Sequence, residues 1–241
     1  QATAHVFLQA GWKVGFVGRT ASTLEAATKG HENALVLPCD VNNETAVERE
    51  FKRAQKEWGH LDAIFNNAGV AAPSANVWET TANDWTWVHG VNVNGVMNGI
   101  RAFVPRMIAG GEEGYVINTS SGDGGVSPLP YQSVYASSKA AVQHYSEILY
   151  HENRDSGVRF CCVCPPAVAT PLWRQAEATV VPKLPSKGET LTPDEVIAEV
   201  ERCLEAGKPF AYPGKQTKLG VMMRRFFPGL VWKASHDAEG F

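Results

Sequence analysis

The sequence of 241 residues lacks an excess of charge of one sign and a long hydrophobic run. Its 22 basic residues are balanced by 25 acidic ones, so the net charge of −3 gives no reason to expect a nucleic acid or an anionic membrane as partner. No apolar run is long enough to span a bilayer. With 44% hydrophobic and 20% charged residues, the composition excludes a disordered or fibrous chain.

Cysteine is also scarce, and its count of five is odd, which argues against a complete disulfide framework. Cys161, Cys162 and Cys164 crowd into one apolar segment, but no further Cys or His follows at metal-ligand spacing, so no metal site is expected. We predict a buried strand that uses cysteine as a small hydrophobe. Reduced thiols favour a cytoplasmic location.

Apolar runs of strand length alternate with longer segments of helical period, without hairpin signals. This pattern predicts an α/β fold with a doubly wound parallel sheet, helices on both faces and one domain over residues 1–241. Strands are predicted at 14–17, 34–37, 63–65, 115–117, 158–164 and 210–212. Helices are predicted at 1–10, after the capping residues Asn42 and Asn43, at about 79–109, around Tyr135 and after the capping box Thr192–Glu195.

In such sheets ligands bind beyond the carboxyl ends of the strands. Four polar clusters are predicted to lie there, namely Gly18-Arg19, Asp40-Val41, Asn66–Gly69 and Ser120-Ser121. Tyr135 and Lys139, four residues apart on a predicted helix, share one face. A free tyrosine has a pKa near 10, and a neighbouring ammonium favours the phenolate, so the two residues could transfer protons. The spacing alone fits a solvent-facing amphipathic pair equally well.

Five motifs occur in a fixed order along the chain. Asn66-Asn-Ala-Gly69 follows a predicted strand, Asn92 lies in Val91-Asn-Val-Asn-Gly95, and Ser121 ends the next strand. Tyr135-Ala-Ser-Ser-Lys139 and Pro165 follow. Together they resemble the classical short-chain dehydrogenase/reductase family, from residue 1 to about 212. The resemblance implies a Rossmann-like three-layer fold, a homodimer or homotetramer, and an NAD(P)-dependent oxidoreductase that interconverts a carbonyl compound and an alcohol, with a small molecule of medium or bulky size as the substrate.

The resemblance also implies roles for four residues. Tyr135 would be the catalytic acid and base, and Lys139 would lower its pKa and hold the nicotinamide ribose. Ser121 would bind the substrate oxygen, and Asn92 would support a water chain. Ser120 remains an alternative to Ser121, because the gap to the tyrosine is one residue longer than usual in the family. Asn94 is a weaker alternative to Asn92, because Gly95 stands at the family's spacing from Asn92.

The end of the second family strand bears on the choice of cofactor. Gly18 stands where an acidic residue would favour NAD, and the following Arg19 suits a 2′-phosphate, so NADP(H) is favoured over NAD(H). The alternative is an ordinary exposed arginine. Further cofactor contacts implied by the resemblance are Asp40, Val41, Asn67, Ala68, Gly69, Tyr135, Lys139, Pro165, Val168 and Thr170. Pro165-Pro166 replaces the usual Pro-Gly, which leaves the path of that loop open.

The resemblance places a substrate lid at about 166–190 and a pocket wall just before the catalytic tyrosine. Leu129, Tyr131 and Trp173 are the predicted substrate contacts, and they suit a largely apolar carbonyl compound. Packing of the lid or a subunit contact explains the same apolar residues equally well. The tail at about 213–241 is predicted to be a packed extension, with a partner-facing or membrane-leaning helix at Met222–Phe227 as the alternative.

Two other functional classes agree less well with the sequence. A serine hydrolase is disfavoured because no Gly-x-Ser-x-Gly elbow surrounds Ser120 and Ser121. A non-catalytic NADP-binding regulator on the same fold is the closer alternative, although such proteins generally lose the tyrosine or the lysine. Residue 1 is Gln, and residues 1–8 match the helix that follows the family's glycine-rich turn. We therefore expect the native protein to begin roughly 15–20 residues earlier, with a first strand and that turn.

Overall fold

The computed structural model describes residues 2–126, 129–169, 172 and 190–238, and strands and helices alternate along most of this length. The strands are β1 (Val14–Gly18), β2 (Ala34–Pro38), β3 (Ala63–Asn66), β4 (Gly114–Thr119), β5 (Val158–Val163) and β6 (Phe210–Ala211). The helices are α1 (Ala2–Gln9), α2 (Ala21–Thr28), α3 (Glu44–Trp58), α4 (Ala82–His89), α5 (Gly95–Gly110), α6 (Ser133–Glu152), α7 (Pro193–Glu205), α8 (Lys215–Phe226) and α9 (Pro228–Ala238).

All paired strands run parallel, which confirms the predicted α/β class. They form two sheets rather than one, a pair β1-β2 and a four-stranded sheet in the order β3-β4-β5-β6. Within the described residues, β1 and β3 are therefore edge strands of separate sheets. Phe7 of α1 packs on Phe65 of β3, with ring centroids 5.4 Å apart. Because strands in each sheet are parallel, the carboxyl ends of β3, β4 and β5 meet at one edge, where the site is found.

Both faces of the four-stranded sheet are covered by helices, and alternate residues face opposite sides. Val116 and Cys162 belong to a core shared with α5 and α6, whereas Ile117 and Cys161 pack with Cys203 of α7. This two-sided burial explains the apolar run Phe160–Val163 of β5. All five cysteines are free and buried, which confirms that the cysteine-rich segment is a core strand.

The region predicted as one helix over about 79–109 is divided into several pieces. A short 3₁₀ turn at Val77–Glu79 precedes α4, and a π-helical turn at Gly90–Asn94 joins α4 to α5. The loop after β2 presses against this junction, since a Cβ on Gly95 would lie 2.7 Å from Val41 Cγ2 and one on Gly90 would lie 2.9 Å from Asn42 Oδ1. π turns of this kind often mark functional sites, and this one carries Asn92.

The remaining predictions for helices have mixed outcomes. Asn43 caps α3 by accepting a hydrogen bond from the amide of Ala46, and Thr192 and Glu195 form the predicted capping box of α7. Helix α2 was not predicted, because its alanines and threonines form only a weak apolar stripe. Among the described residues, no helix combines the length and apolarity needed to cross a membrane.

The prediction of a packed C-terminal extension is only partly correct. Thr217 of α8 is buried, and Gly220 approaches Val126 so closely that a Cβ would lie 2.9 Å from Val126 Cγ1. The opposite side of the extension leaves large apolar side chains exposed, among them Met222 and Phe226.

Candidate active site

Helix α6 holds Tyr135 and Lys139 one turn apart on its inner face. Only 4% of Tyr135 and 3% of Lys139 is exposed, which excludes the solvent-facing amphipathic pair. Lys139 Nζ lies 5.8 Å from the centroid of the tyrosine ring and donates a hydrogen bond of 2.9 Å to the carbonyl of Thr119, at the end of β4. The helix thus brings both side chains to the carboxyl edge of the sheet.

The two candidate serines at the end of β4 have different partners. Ser121 forms a side-chain hydrogen bond with Tyr135. Ser120 is buried, donates its hydroxyl hydrogen over 2.7 Å to the carbonyl of Lys139, and accepts a bond of 3.1 Å from Gln143 Nε2. The hydroxyl of Ser120 therefore fastens β4 to α6, whereas Ser121 is the serine in contact with the tyrosine.

The two candidate asparagines also differ in their surroundings. Asn94 is exposed, whereas Asn92 is fully buried on the π turn. Asn92 Oδ1 accepts a hydrogen bond of 2.8 Å from the Val70 amide, and its Nδ2 donates to the Val70 carbonyl and to Ser138 Oγ, both at 3.0 Å. These bonds fix the segment after β3 to α6, beside Lys139.

Burial controls the electrostatics of this cluster. It raises the pKa of Tyr135 to about 12, although the hydrogen bond from Ser121 opposes that change. It also lowers the pKa of Lys139 to about 8. The pKa of Tyr135 is thus raised rather than lowered in this arrangement, because desolvation of the phenolate dominates.

Sequence reasoning missed Asp123, which lies in the 3₁₀ turn directly after Ser121. Its Oδ1 accepts a hydrogen bond of 2.7 Å from the Leu129 amide, while the buried Oδ2 has no hydrogen-bond partner among the described residues. Burial raises the pKa of this carboxyl to about 6, and its negative charge raises the pKa of Tyr135. A carboxylate two residues after a candidate catalytic serine was the signal available in the sequence.

The glycine-rich turn fits against α6 with no room for a side chain at one position. A Cβ on Gly124 would lie 2.6 Å from the backbone carbon of Lys139 and 2.8 Å from the nitrogen of Ala140. We expect Gly124→Ala to push the turn away from α6 and lower kcat by about 10–100-fold, because small misplacements of reacting groups are costly. The matched change Gly110→Ala, where no atom lies within 4 Å of the new Cβ, should leave kcat unchanged. Equal kcat values in steady-state assays of the two variants would contradict this prediction.

The residues predicted to bind the adenosine half of a cofactor follow β1 and β2. Arg19 is exposed directly after β1. Asp40 Oδ1 accepts a hydrogen bond of 2.9 Å from the Asn42 amide, which shapes the loop after β2. The carbonyl of Val41 accepts a bond of 2.8 Å from Asn98 Nδ2, and its side chain packs against the core cluster that contains Tyr135. The loop is thereby held against the helices that carry the site.

The segment after β3 lies beside the lysine. Thr119 Oγ1 donates over 3.5 Å to Asn67 Oδ1, and Ala68 is exposed. A Cβ on Gly69 would lie 3.4 Å from Lys139 Nζ. Gly69 therefore lies in ordinary contact distance of the ammonium, which places the backbone of this segment directly beside Lys139.

The segment after β5 also reaches the glycine-rich turn. The carbonyl of Pro165 accepts a hydrogen bond of 2.8 Å from the Gly122 amide, so Pro165-Pro166 does not separate the two loops. Val168 forms an isolated parallel bridge with Leu191. Thr170 lies outside the described residues.

Two of the three predicted substrate contacts, Leu129 and Tyr131, belong to the described part of the chain, and both line one cavity. Leu129 and Tyr131 border a cavity of about 370 Å³ that is also lined by the segment 75–77. Tyr131 has a φ of 62°, an uncommon conformation for a non-glycine residue. Tyr135 is not among the described residues that line this cavity. Trp173 and most of the predicted lid lie outside the described residues.

The chain is similar to known proteins over most of its length. Residues 1–180 match the short chain dehydrogenase family. The chain is 32% identical over 199 residues to the 2-(R)-hydroxypropyl-CoM dehydrogenase of Xanthobacter autotrophicus, covering 77% of this chain and 79% of the relative.

Two solved structures extend the comparison to the fold. A short chain dehydrogenase/reductase from Burkholderia phymatum in complex with NAD superposes with a TM-score of 0.82 at 27% identity, covering 95% of this chain and 89% of that chain. The closed form of a serine dehydrogenase complexed with NADP⁺ gives a TM-score of 0.75 at 26% identity, covering 83% and 82%. The family match also excludes the serine hydrolase alternative. The chain belongs to the short-chain dehydrogenase/reductase family of oxidoreductases.

Proposed function

We propose that the protein uses NADP(H) to interconvert a carbonyl compound and an alcohol, with Tyr135 as the acid and base. The observation that carries this proposal is the buried hydrogen bond between Tyr135 and Ser121, with Lys139 on the next turn of the same helix. General acids act where they can reach the developing alkoxide, and the tyrosine and the serine can both donate to one oxygen atom there. The bound nicotinamide supplies or accepts the hydride.

The residues of the chain donate the proton and position the reactants. In the direction of reduction, the Tyr135 hydroxyl donates its proton to the substrate oxygen, and the Ser121 hydroxyl donates a hydrogen bond to the same oxygen. Because burial raises the pKa of Tyr135 to about 12, the residue stays protonated and ready to act as an acid at neutral pH. Lys139 would hold the nicotinamide ribose, and Asn92 fixes the backbone at Val70 beside it.

The described residues fit a nicotinamide dinucleotide, and related structures hold NAD or NADP. The segment at Gly69 lies beside Lys139, the residue proposed to hold the nicotinamide ribose. Asp40, Val41, Asn67 and Ala68 would bind the adenosine half, and Pro165 with Val168 would approach the nicotinamide. Preference for NADP(H) rests on Arg19, whose exposed guanidinium follows β1, with Gly18 in place of a carboxylate.

Removal of the Arg19 side chain tests this preference. We expect Arg19→Ala to raise the dissociation constant for NADPH by roughly 10–100-fold, because a charge-assisted bond to phosphate contributes about 1.5–3 kcal/mol. The dissociation constant for NADH should change by less than about threefold, since NADH carries no 2′-phosphate. Nicotinamide fluorescence titrations measure both. Lys13→Ala, which removes a nearby exposed cation before β1, is the control. If Arg19→Ala weakens the binding of NADPH and of NADH equally, the phosphate contact is refuted.

The activity itself is tested by mixing the protein with NADPH and a panel of carbonyl compounds, beginning with aromatic ketones. Loss of nicotinamide absorbance with formation of the alcohol supports the proposal. NADPH binding without turnover over a broad panel of carbonyls and alcohols supports a non-catalytic regulator instead. The apolar cavity wall at Leu129 and Tyr131 favours largely apolar substrates in this panel.

We also propose a single cytoplasmic domain that assembles as a homodimer or homotetramer through α4, α5 and α6. The buried, reduced cysteines support the cytoplasmic compartment. The exposed side chains of Trp87 on α4, Ile108 on α5 and Ile148 on α6 give these helices apolar surface for a subunit contact.

A further inference from the structure

The last two helices expose an unusual amount of apolar surface. Of the thirteen exposed large hydrophobic side chains among the described residues, six lie between residues 219 and 232. Leu219, Met222 and Phe226 recur at intervals of three and four residues and therefore share one face of α8. The six, which we call the C-terminal patch, are Leu219, Met222, Phe226, Phe227, Leu230 and Trp232, each 56–65% exposed.

The charge of this segment differs sharply from that of the whole chain. Residues 215–234 contain five basic side chains and no acidic one, although acidic residues outnumber basic ones overall. Lys218 forms an ion pair of 2.7 Å with Glu199 of α7. The other four, Lys215, Arg224, Arg225 and Lys233, make no ion pair with a described residue.

One side of α8 packs against the glycine-rich turn of the candidate active site. The opposite side of the helix therefore faces outward. Thr217 is buried, and Gly220 packs against Val126 at the end of the glycine-rich turn. Arg224 and Arg225 border a cavity of about 310 Å³ together with Gln143 and other residues. With one side fixed in this way, the exposed side combines apolar and aromatic tips with cationic groups.

We propose that the C-terminal patch docks the protein on an anionic phospholipid surface, with α8 and α9 lying in the interface. Apolar side chains among lysines and arginines, with a tryptophan, are typical of helices that lie in the headgroup region. Anionic lipids attract such cations, and neither helix is long and apolar enough to span the bilayer. The whole-chain net charge of −3 hides this local excess.

A second copy of the chain fits the patch less well. In a two-fold dimer a surface patch meets its own copy, so the cations of both segments would face one another without acidic partners. A protein partner fits less well too, because between residues 219 and 232 the only side chains that can form strong hydrogen bonds are the arginines at 224 and 225 and the indole of Trp232, all of them donors. Specific protein recognition needs more hydrogen-bonding groups than these.

The test is co-sedimentation of the protein with phosphatidylcholine vesicles that contain no anionic lipid or about 30% phosphatidylglycerol. Binding should be at least about tenfold stronger to the anionic vesicles and should fall at about 0.5 M salt, because the attraction is screened. Phe226→Glu/Phe227→Glu should abolish binding. Trp78→Glu, at a side chain 79% exposed outside the patch, should leave it unchanged.

Arg225→Gln/Lys233→Gln alters only exposed side chains and provides a second measure if the double glutamate variant is unfolded by circular dichroism. It should weaken binding to anionic vesicles by about tenfold or more. Equal binding to both kinds of vesicle, or no binding to either, overturns the proposal. So does a glutamate variant that dissociates an oligomer in sedimentation velocity while its vesicle binding persists. None of these measurements depends on turnover, so the proposed oxidoreductase activity can fail or hold independently.

Discussion

Replacing Tyr135 with phenylalanine is expected to lower kcat by about 10²–10⁴-fold, the usual contribution of a positioned general acid. The ring is buried against Val70, Val88 and Val134, and phenylalanine preserves this packing. Only the hydroxyl is lost, together with its bond to Ser121. The dissociation constant for NADPH should therefore change little, because the cofactor contacts of Lys139 and the loops remain.

Helix α6 offers a matched control in Tyr145→Phe. The Tyr145 hydroxyl is also buried, but it has no hydrogen-bond partner in the described part of the chain, and burial raises the pKa of this tyrosine too. Its removal should leave kcat unchanged and should not destabilise the protein, since an unpaired buried hydroxyl is unfavourable. Steady-state kinetics and cofactor titration of both variants decide the matter. If Tyr135→Phe retains the turnover of the unaltered protein, Tyr135 is not the acid.

Local patterns in the sequence were sufficient for the elements that surround the site. The apolar run at 158–164 predicted β5, the capping box at Thr192 predicted α7, and the spacing of Tyr135 and Lys139 placed both on one face of α6. Each of these features depends on neighbours within a few residues. The parallel sheet followed from their alternation along the chain.

Features that depend on distant contacts could not be predicted in the same way. The π turn at Gly90–Asn94 packs against the loop after β2, where Gly95 approaches Val41. These two segments are roughly fifty residues apart in the chain. The choice between Ser120 and Ser121 depends on which hydroxyl reaches α6 and which reaches Tyr135.

Burial explains the errors in electrostatics. The sequence predicts that an ammonium near Tyr135 lowers its pKa, but the phenol is so deeply buried that desolvation outweighs the attraction and raises it to about 12. A net charge of −3 over the chain gave no indication that residues 215–234 carry basic side chains alone.

Replacing Lys139 with methionine is expected to remove turnover and, at neutral pH, to stabilise the protein. Burial lowers the pKa of Lys139 from 10.5 to about 8, so the folded state holds the charged form at a cost of about 3 kcal/mol. Methionine fills a similar volume without a charge. Loss of the bond to the Thr119 carbonyl offsets about 1 kcal/mol, so the free energy of unfolding at pH 7 should rise by about 2 kcal/mol.

The dependence of this gain on pH distinguishes desolvation from better packing. Below pH 8 the lysine is charged in both the folded and the unfolded state, and the full cost of burial is present. Between about pH 8 and 10.5 the unfolded state binds more protons, so the stability of the unaltered protein rises and the advantage of Lys139→Met shrinks. Urea unfolding at pH 7, 8 and 9.5 (roughly spanning that window) measures the change.

Lys56→Met, at an exposed position on α3, should show no such trend. If the gain in the free energy of unfolding for Lys139→Met stays constant over this range, the buried ammonium is not the source of the instability. If the gain shrinks and turnover is lost, the protein keeps an unfavourable buried charge for its function.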